Sequence, residues 1–346
     1  KSELEEKFYP LDSTADAAYL HKYRRTYYDY NKTDGAFNVV NEVYDRIKIY
    51  NEEGFEEATR YIYYYNPDKG EEENISSIKA YTFNYEEGKV VKSKLSKKNI
   101  FKEKKNKFWS VLKITLPNVK KGCVIDIKYK ITSPYYNKID DVDFQFNIPT
   151  KDIDVNVSIP EFYKFKSVSK GYFHIAPKAS TKNSFISYRN KVGRNDAWRG
   201  TSTSYQDGKI EYVTFVKSFK AKNIPALKDN EPFIGSVKSY RGGVKFELKE
   251  IDFTKVGGSR KFYSNDWGDV SKQIYANKSF GGELSKSNYY KKDLIAVLSK
   301  TKTESDKIIA VFNYVKLKVK WNTFYGMYTD KGVRRAYKES VGNTAD

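Results

Sequence analysis

Along most of the chain, hydrophobic and polar residues alternate with a period of two. In the segment 37–50, for example, Val43, Ile47 and Ile49 fall on one face and more polar residues lie between them. Such alternation is typical of a β-strand that buries one face. The segments that predict strands are 19–30, 37–50, 60–65, 78–85, 89–91, 108–116, 123–131, 144–148, 153–159, 172–175, 184–188, 210–219 and 244–253. Because these runs are short and separated by turn signals, the sequence predicts an antiparallel β-sandwich.

After residue 253 the hydrophobic spacing changes to about 3.6 residues, the period of an α-helix. The segment 303–319 shows it best, since Ile308 and Phe312 belong to one apolar stripe that predicts a face packed in the core. Thr303 and Asp306 match a capping box at the start of this helix. Two further segments predict helices, residues 266–275 and 289–298.

The length of 346 residues is comfortable for two domains. We expect a mainly β protein, with an antiparallel β-sandwich domain over residues 1–250 and a mostly helical domain over residues 251–346. Hydrophobic residues make up 39% of the chain and charged residues 31%, well mixed, which excludes a disordered composition. No apolar run approaches the roughly 18 residues of a membrane helix. The chain starts at Lys1 without a signal peptide, so we expect a processed mature protein or a trimmed chain.

The formal charge of +19, with a pI near 9.4, admits two interpretations. One is an anionic partner such as a nucleic acid, an acidic polysaccharide or a membrane surface. The other is a lysine-rich surface without such a partner, and single lysines alternating with apolar residues favour it. The densest basic segment, residues 93–107, predicts a solvated hairpin or loop. No nucleic-acid-binding motif accompanies it, so nucleic acid is not favoured as a partner.

Cysteine and histidine are too scarce for the common metal centres. Cys123 is the single cysteine, so the chain cannot form an internal disulfide. It shares a strand face with Ile125 and Ile127, which predicts a buried structural thiol rather than a reactive one. The two histidines, His21 and His174, fall in separate strand-like segments without metal-ligand spacing. The sequence therefore predicts neither a metal site nor a cofactor.

Aromatic residues are abundant, with 31 tyrosines and 21 phenylalanines. One predicted strand carries more tyrosines than a single buried face accommodates. Tyrosine clusters suit binding interfaces, although packing on a sheet surface explains them equally well. The candidate binding aromatics are Tyr61, Tyr63, Tyr64, Tyr65, Trp321 and Tyr325.

Several stretches together resemble a two-part family of bacterial envelope proteins. In that family a β-sandwich of the domain-of-unknown-function family 3857 precedes a transglutaminase-like domain. The first part of the resemblance rests on residues 12–17, 46–54, 78–84, 119–125 and 144–149. The second part rests on residues 221–227, 267–270, 312–315, 320–322 and 342–346. The resemblance covers nearly the whole chain in order, and it implies that the helical domain is the beginning of a transglutaminase-like domain.

The last five residues resemble the Gly-x-Cys-x-Asp start of the family's core helix. Gly342 and Asp346 match the family's Gly and Asp, Asn343 occupies the variable position, and Thr344 stands where active members have the nucleophilic cysteine. The family's catalytic His and Asp follow that helix, beyond the last residue of this chain. The resemblance thus implies a degenerate site without catalytic residues. A helix N-cap formed by Asn343 or Thr344 explains the segment as well.

These observations favour a non-catalytic, extracytoplasmic interaction protein of the bacterial cell envelope, in the periplasm or on the cell surface. Its partner would be a protein, or a glycan, and it could belong to an outer-membrane-associated complex. The first alternative is a thiol enzyme related to transglutaminases or peptidases, which needs a cysteine that position 344 lacks. The second is a polyanion-binding protein, suggested by the charge. Because the stripe with Ile308 and Phe312 needs cover, we also expect the native chain to continue beyond Asp346.

Overall fold

The computed structural model describes residues 1–196, 200–229, 235–263, 266–299 and 301–346. The chain divides into two compact units, Lys1–Tyr263 and Ser264–Asp346. About 46% of the residues lie in strands and 20% in helices, and the helices are concentrated towards the C-terminus. The predicted fold class, a mainly β protein with antiparallel sheets, is therefore confirmed.

The strands are β1 (Ala17–Asn31), β2 (Ala36–Ile49), β3 (Thr59–Tyr65), β4 (Asn74–Glu86), β5 (Lys89–Lys94), β6 (Ile100–Lys104), β7 (Trp109–Thr115), β8 (Val124–Ser133), β9 (Val142–Asp143), β10 (Thr150–Pro160), β11 (Tyr163–Lys170), β12 (Lys178–Asp196), β13 (Gly200–Ile224), β14 (Gly243–Asp252), β15 (Arg260–Phe262), β16 (Lys320–Trp321) and β17 (Val341–Gly342). The α-helices are α1 (Ser2–Glu5), α2 (Val237–Tyr240), α3 (Trp267–Ala276), α4 (Gly281–Leu284), α5 (Lys291–Leu298), α6 (Glu304–Lys318) and α7 (Val333–Glu339). Three short 3₁₀ turns cover Glu53–Ala58, Lys97–Asn99 and Thr254–Val256.

A large sheet of eight strands forms the frame of the first unit, in the order β12-β13-β10-β1-β2-β8-β4-β5. Its neighbouring strands are antiparallel except for β1 and β10, which run parallel. Alternation along β2 explains its burial, because the side chains of Phe37, Val39, Ile47 and Ile49 all point to one face and are buried. That face is the inner face of the sheet.

Two smaller sheets cover the inner face of the large sheet. One contains β3, β7 and β6, and the other contains β9, β11, β14 and β15. Ile62 and Leu112 of the three-stranded sheet pack against Ile131 of β8. Tyr163 of β11 packs in the same cluster as Phe37 of β2. The first unit is thus a β-sandwich in which one large sheet faces two small ones.

Two predicted strands are wrong. Residues 144–148 form an irregular connection, in which the backbone N–H of Phe144 donates to the carbonyl oxygen of Gly242 at 2.7 Å. Residues 172–175 lie in the connection after β11, so His174 is not in a strand. Residues 144–148 alternate apolar and polar side chains and residues 172–175 are rich in aromatic side chains, but neither backbone segment enters a ladder.

The predicted basic loop over residues 93–107 is only partly correct. Residues 100–104 form β6, which is the edge strand of the three-stranded sheet and is mostly exposed. Its lysines hid the strand pattern, since charged residues are common on the solvent side of an edge strand.

The three helices predicted for the second unit are confirmed as α3, α5 and α6. The capping box of α6 is also confirmed: Thr303 Oγ1 accepts from the N–H of Asp306 at 3.1 Å, and Asp306 Oδ2 accepts from the N–H of Thr303 at 3.1 Å. The predicted burial of the α6 stripe is wrong, because Ile308 and Phe312 are mostly exposed. Val311 and Val319, which belong to the same predicted stripe, are half-buried and line a cavity of this unit. Within the described ranges, no helix combines the length and the apolar composition needed to cross a membrane.

Cys123 is buried as predicted, in one cluster with Ile125 and Ile127. Burial raises the pKa of its thiol, so both access and ionisation oppose its reaction. We expect the native protein to resist labelling by a thiol reagent and to take up one equivalent once unfolded. A Ser187→Cys variant, with a second thiol at an exposed position of β12, should add one rapidly labelled thiol and serves as the control. Rapid labelling of the unaltered native protein would show that Cys123 is accessible.

Candidate functional site

The segment predicted to be a degenerate nucleophile motif begins at the end of β17, which pairs in parallel with β16. Asn343 Oδ1 accepts from the N–H groups of Ala345 and Asp346, each at 3.0 Å. In return, Asp346 Oδ2 accepts from the N–H of Asn343 at 3.1 Å. These contacts have the hydrogen-bond pattern of a helix N-cap, with Asn343 in the capping position.

The hydroxyl of Thr344 is held by the backbone of Gly326. Thr344 Oγ1 accepts from the N–H of Gly326 and donates to its carbonyl oxygen, both at 2.9 Å. A hydroxyl needs a general base to become a nucleophile, and both histidines of the chain, His21 and His174, belong to the other unit. Its proton points to a carbonyl oxygen, which is not a base.

A cavity of about 270 Å³ lies beside Asp346 in the second unit, with Tyr314 and Tyr337 in its wall. The hydroxyls of both tyrosines donate to Asp293. Burial and the Asp293 contact raise the pKa of Tyr337, and the hydrogen bonds lower the pKa of Asp293. Tyr337 therefore stays protonated and donates its hydrogen to the Asp293 carboxylate.

The predicted cluster of tyrosines divides between two faces of the three-stranded sheet. Tyr61 and Tyr63 point outwards and are 53% and 58% exposed, whereas Tyr64 is buried in the core with Ile62. Tyr65 is half-buried and meets Trp109 edge-on. Strand alternation accounts for the division, and it removes Tyr64 from the set of side chains available to a ligand.

The register of the sheet adds residues that sequence reasoning missed. Tyr61 lies opposite Lys113 of β7, and Lys113 lies opposite Phe101 of β6. Phe101 is 56% exposed, and the Lys113 ammonium is 5.7 Å from the centre of the Tyr61 ring. We call Tyr61, Tyr63 and Phe101 the aromatic face. The sequence signal for Phe101 was hidden by the lysines around it.

The remaining predicted aromatics belong to the second unit. Trp321 lies in β16, and its indole N–H donates to the carbonyl oxygen of Phe324 at 3.0 Å. Its ring centre is 4.6 Å from that of Tyr325, and both side chains are exposed. They form a local pair of aromatic side chains only four residues apart in sequence.

The two histidines have different surroundings in the first unit. His21 Nδ1 lies 2.6 Å from Asp152 Oδ2, and His174 lies in an irregular connection. In the part of the chain that the structure describes, no group of three or more His, Cys, Asp or Glu side chains is arranged to hold a metal ion.

The inner face of the large sheet carries a buried charge cluster. Asp45 is buried, and its carboxylate contacts Lys22 Nζ at 2.9 Å and Arg60 Nη2 at 3.0 Å. Lys22 also lies 4.1 Å from the centre of the Tyr19 ring. Asp45 occupies the same face of β2 as Ile47, which is the inward face. The sequence signal for this cluster is therefore a carboxylate at an inward position of a predicted strand, and it was missed.

Comparison with known proteins bears on the first unit. Residues 36–193 match the family DUF3857. This family is described as a Domain of Unknown Function with a solved structure, and the matched residues run from β2 into β12. No curated protein matches the sequence.

A solved structure has a similar fold over most of the chain. It is that of a candidate protease from Parabacteroides distasonis ATCC 8503, with a TM-score of 0.58 and 14% sequence identity over 95% of this chain. The chain spans 56% of the length of that protein. Two structures of yeast LTA4 hydrolase, native and in complex with bestatin, match 68% of this chain and 30% of theirs at 11% identity, with a TM-score of 0.27. At 14% identity, the likeness to the Parabacteroides structure concerns the fold alone.

Proposed function

We propose that this chain is a non-catalytic interaction protein of the bacterial cell envelope, in the periplasm or on the cell surface, and that the aromatic face holds a protein partner. The observation that carries the proposal is the exposure of Tyr61, Tyr63 and Phe101, each above 50%, on one face of one sheet. Large aromatic side chains on an open surface are the residues that most often dominate a protein interface.

Charge around the aromatic face indicates the chemistry of the partner. Lys113 lies between Tyr61 and Phe101, and Lys105, the residue after β6, forms an exposed ion pair with Glu103 at 2.7 Å. Together with the formal charge of +19, this favours a partner that surrounds an apolar centre with acidic residues.

Two considerations support a binding role rather than catalysis. In the proposed comparison with transglutaminase-like proteins, Thr344 takes the place of the nucleophilic cysteine, and its hydroxyl is engaged by Gly326. The envelope location rests on the family resemblance of the sequence. The alternative function, that of a thiol enzyme, would require a cysteine at position 344, where this chain has threonine.

The test compares two triple variants in partner capture. The first, Tyr61→Ser/Tyr63→Ser/Phe101→Ser, removes the aromatic face. The second, Tyr172→Ser/Phe185→Ser/Phe262→Ser, removes three aromatic side chains elsewhere that are even more exposed, and it is the matched control. A partner is captured from solubilised envelopes by the unaltered protein, identified by mass spectrometry, and then purified for measurement of Kd.

We expect the first triple variant to raise Kd at least about 30-fold, since truncating one hot-spot residue costs roughly 2 kcal/mol or more. The control should bind like the unaltered protein. Equal loss in both variants, or none in the first, would contradict the proposal. Binding that disappears above about 0.2 M salt in all forms would instead indicate polyanion binding.

A further inference from the structure

A second cleft, of about 270 Å³, opens on the inner face of the large sheet, and its floor is polar. Asn41 of β2 and Ser133 of β8 lie there, and they are only 5% and 6% exposed. Both belong to the antiparallel pair β2–β8, in which Ser133 lies opposite Val39. Two polar side chains that are more than nine-tenths buried therefore line the bottom of an open cleft.

The amide of Asn41 has a fixed orientation. Thr26 Oγ1 donates to Asn41 Oδ1 at 2.6 Å, and Arg24 Nη2 donates to the same oxygen at 3.2 Å. Arg24 is itself held by the carbonyl oxygens of Asp140 and Asp141, at 3.0 and 2.7 Å. Since both donors meet Oδ1, the Asn41 NH₂ group occupies the other end of the amide, where it has no hydrogen-bond partner among the described residues.

The walls of the cleft are aromatic and rigid. The Tyr65 ring meets Trp109 at 5.4 Å and Tyr135 at 5.2 Å between ring centres, edge-on in both cases. Tyr135 is held through its hydroxyl, which donates to the carbonyl oxygen of Glu71 at 2.7 Å. The indole N–H of Trp109 has no acceptor in the described part of the chain, so the wall offers a second donor to a ligand.

The rim supplies acceptors and little net charge. Glu73 Oε2 accepts from the N–H of Tyr65 at 2.7 Å, which leaves Oε1 available. Lys138 and Asp140 face each other at 3.4 Å. Two carboxylates face the Lys138 ammonium and the Arg24 guanidinium behind Asn41, so the cleft has no excess of positive charge that would favour a phosphate or another anion. A purely aliphatic ligand is disfavoured too, because it would leave the buried Asn41 donor unsatisfied.

We propose that this cleft binds a neutral saccharide. A sugar ring has an apolar face that stacks on Trp109 or Tyr135. Its hydroxyls accept hydrogen bonds from the Asn41 NH₂ group and from the Trp109 indole N–H, and they donate to Glu73. Aromatic walls with a few fixed polar groups are the usual make-up of a small-ligand site. The cleft shares no residue with the aromatic face, so this inference does not depend on the proposed protein partner.

The test is titration of the full chain with five neutral trisaccharides, namely maltotriose, cellotriose, xylotriose, mannotriose and N,N′,N″-triacetylchitotriose, followed by calorimetry and tryptophan fluorescence. At least one is expected to bind with millimolar or better affinity. Trp109→Ala and Asn41→Ala should each weaken binding tenfold or more. Trp109→Phe, which keeps a ring but removes the N–H, should fall between the unaltered protein and Trp109→Ala.

Trp267→Ala changes an exposed tryptophan of the other unit and should leave binding unchanged. Circular dichroism checks that each variant is folded. If Asn41→Ala does not fold, the two Trp109 variants are sufficient to test the proposal. They should fold, because the Trp109 side chain is only partly buried. Failure of all five sugars to bind, binding of acidic oligosaccharides only, or undiminished affinity in the Trp109 variants would overturn the proposal.

Discussion

Replacing Asp45 by alanine is expected to destabilise the first unit by about 3–5 kcal/mol, because removing one partner of a buried ion pair leaves the other charge uncompensated. The Asp45 side chain is 2% exposed and contacts two cations, Lys22 at 2.9 Å and Arg60 at 3.0 Å. The other hydrogen bonds of Arg60 are weak. The Tyr19 hydroxyl lies 3.4 Å from the Arg60 guanidinium, and the Arg60 Nε–H is already buried without a partner.

Hydrogen exchange of peptides from β1, β2 and β8 measures this loss directly in the first unit. Asp45→Asn retains the shape of the side chain but removes its charge. It should lose most of the same stability, which would show that the loss comes from the charge and not from packing. Asp207→Ala is the matched control, since it breaks the exposed Arg189–Asp207 pair of the β12–β13 hairpin, and we expect no measurable change. If the amides of β1, β2 and β8 exchange as slowly in Asp45→Ala as in this control, the charge cluster does not stabilise the sheet.

The sequence was most informative where one face of a strand is buried. In β2 the inward residues are apolar at both ends of the strand, from Phe37 to Ile49, so the period of two was visible and its bounds were nearly correct. The helix α6 was equally clear because its capping box marks its first residue. Residues close together in sequence determine both elements. Contacts with distant residues only determine which face of each element is buried.

Alternation alone could not show whether a segment joins a ladder. Residues 144–148 bury Phe144, yet their backbone bonds to Gly242 rather than to a neighbouring strand. The strand β11 was missed for the opposite reason. Serines and lysines separate its few inward aromatic residues, such as Tyr163 and Phe165, so its apolar period is weak. In each case the deciding partner is distant in sequence.

The candidate sites show the same limit. An excess of tyrosines in β3 indicated that some must be exposed, but the pairing with β7 and β6 was needed to place Lys113 and Phe101 beside Tyr61. The saccharide cleft combines Asn41, Trp109 and residues after β8, which the chain separates by many tens of positions. Only the register of β2 with β8, and of β3 with β7, brings them together.

Replacing Phe37 by alanine is expected to cost about 3–5 kcal/mol, the usual range for emptying a buried phenylalanine site. Its ring is buried among aromatic neighbours, with centres at 5.3 Å from Tyr30, 5.9 Å from Tyr163 and 5.9 Å from Tyr212. Phe37 belongs to the large sheet, whereas Tyr163 belongs to the sheet that covers it. The substitution therefore removes a contact between the two layers and also leaves a cavity in the core.

Because the lost contact joins two sheets, exchange should accelerate in peptides of β11 and β14 as well as in β2. Phe37→Leu keeps part of the volume and should cost clearly less than Phe37→Ala. Phe185→Ala, at an exposed position of β12, provides the control and should leave exchange in β2 unchanged. If β2 loses protection while β11 and β14 keep theirs, Phe37 stabilises only its own sheet. The packing between the large sheet and its cover would then depend on the other members of the cluster, such as the stacked pair Phe162 and Phe253.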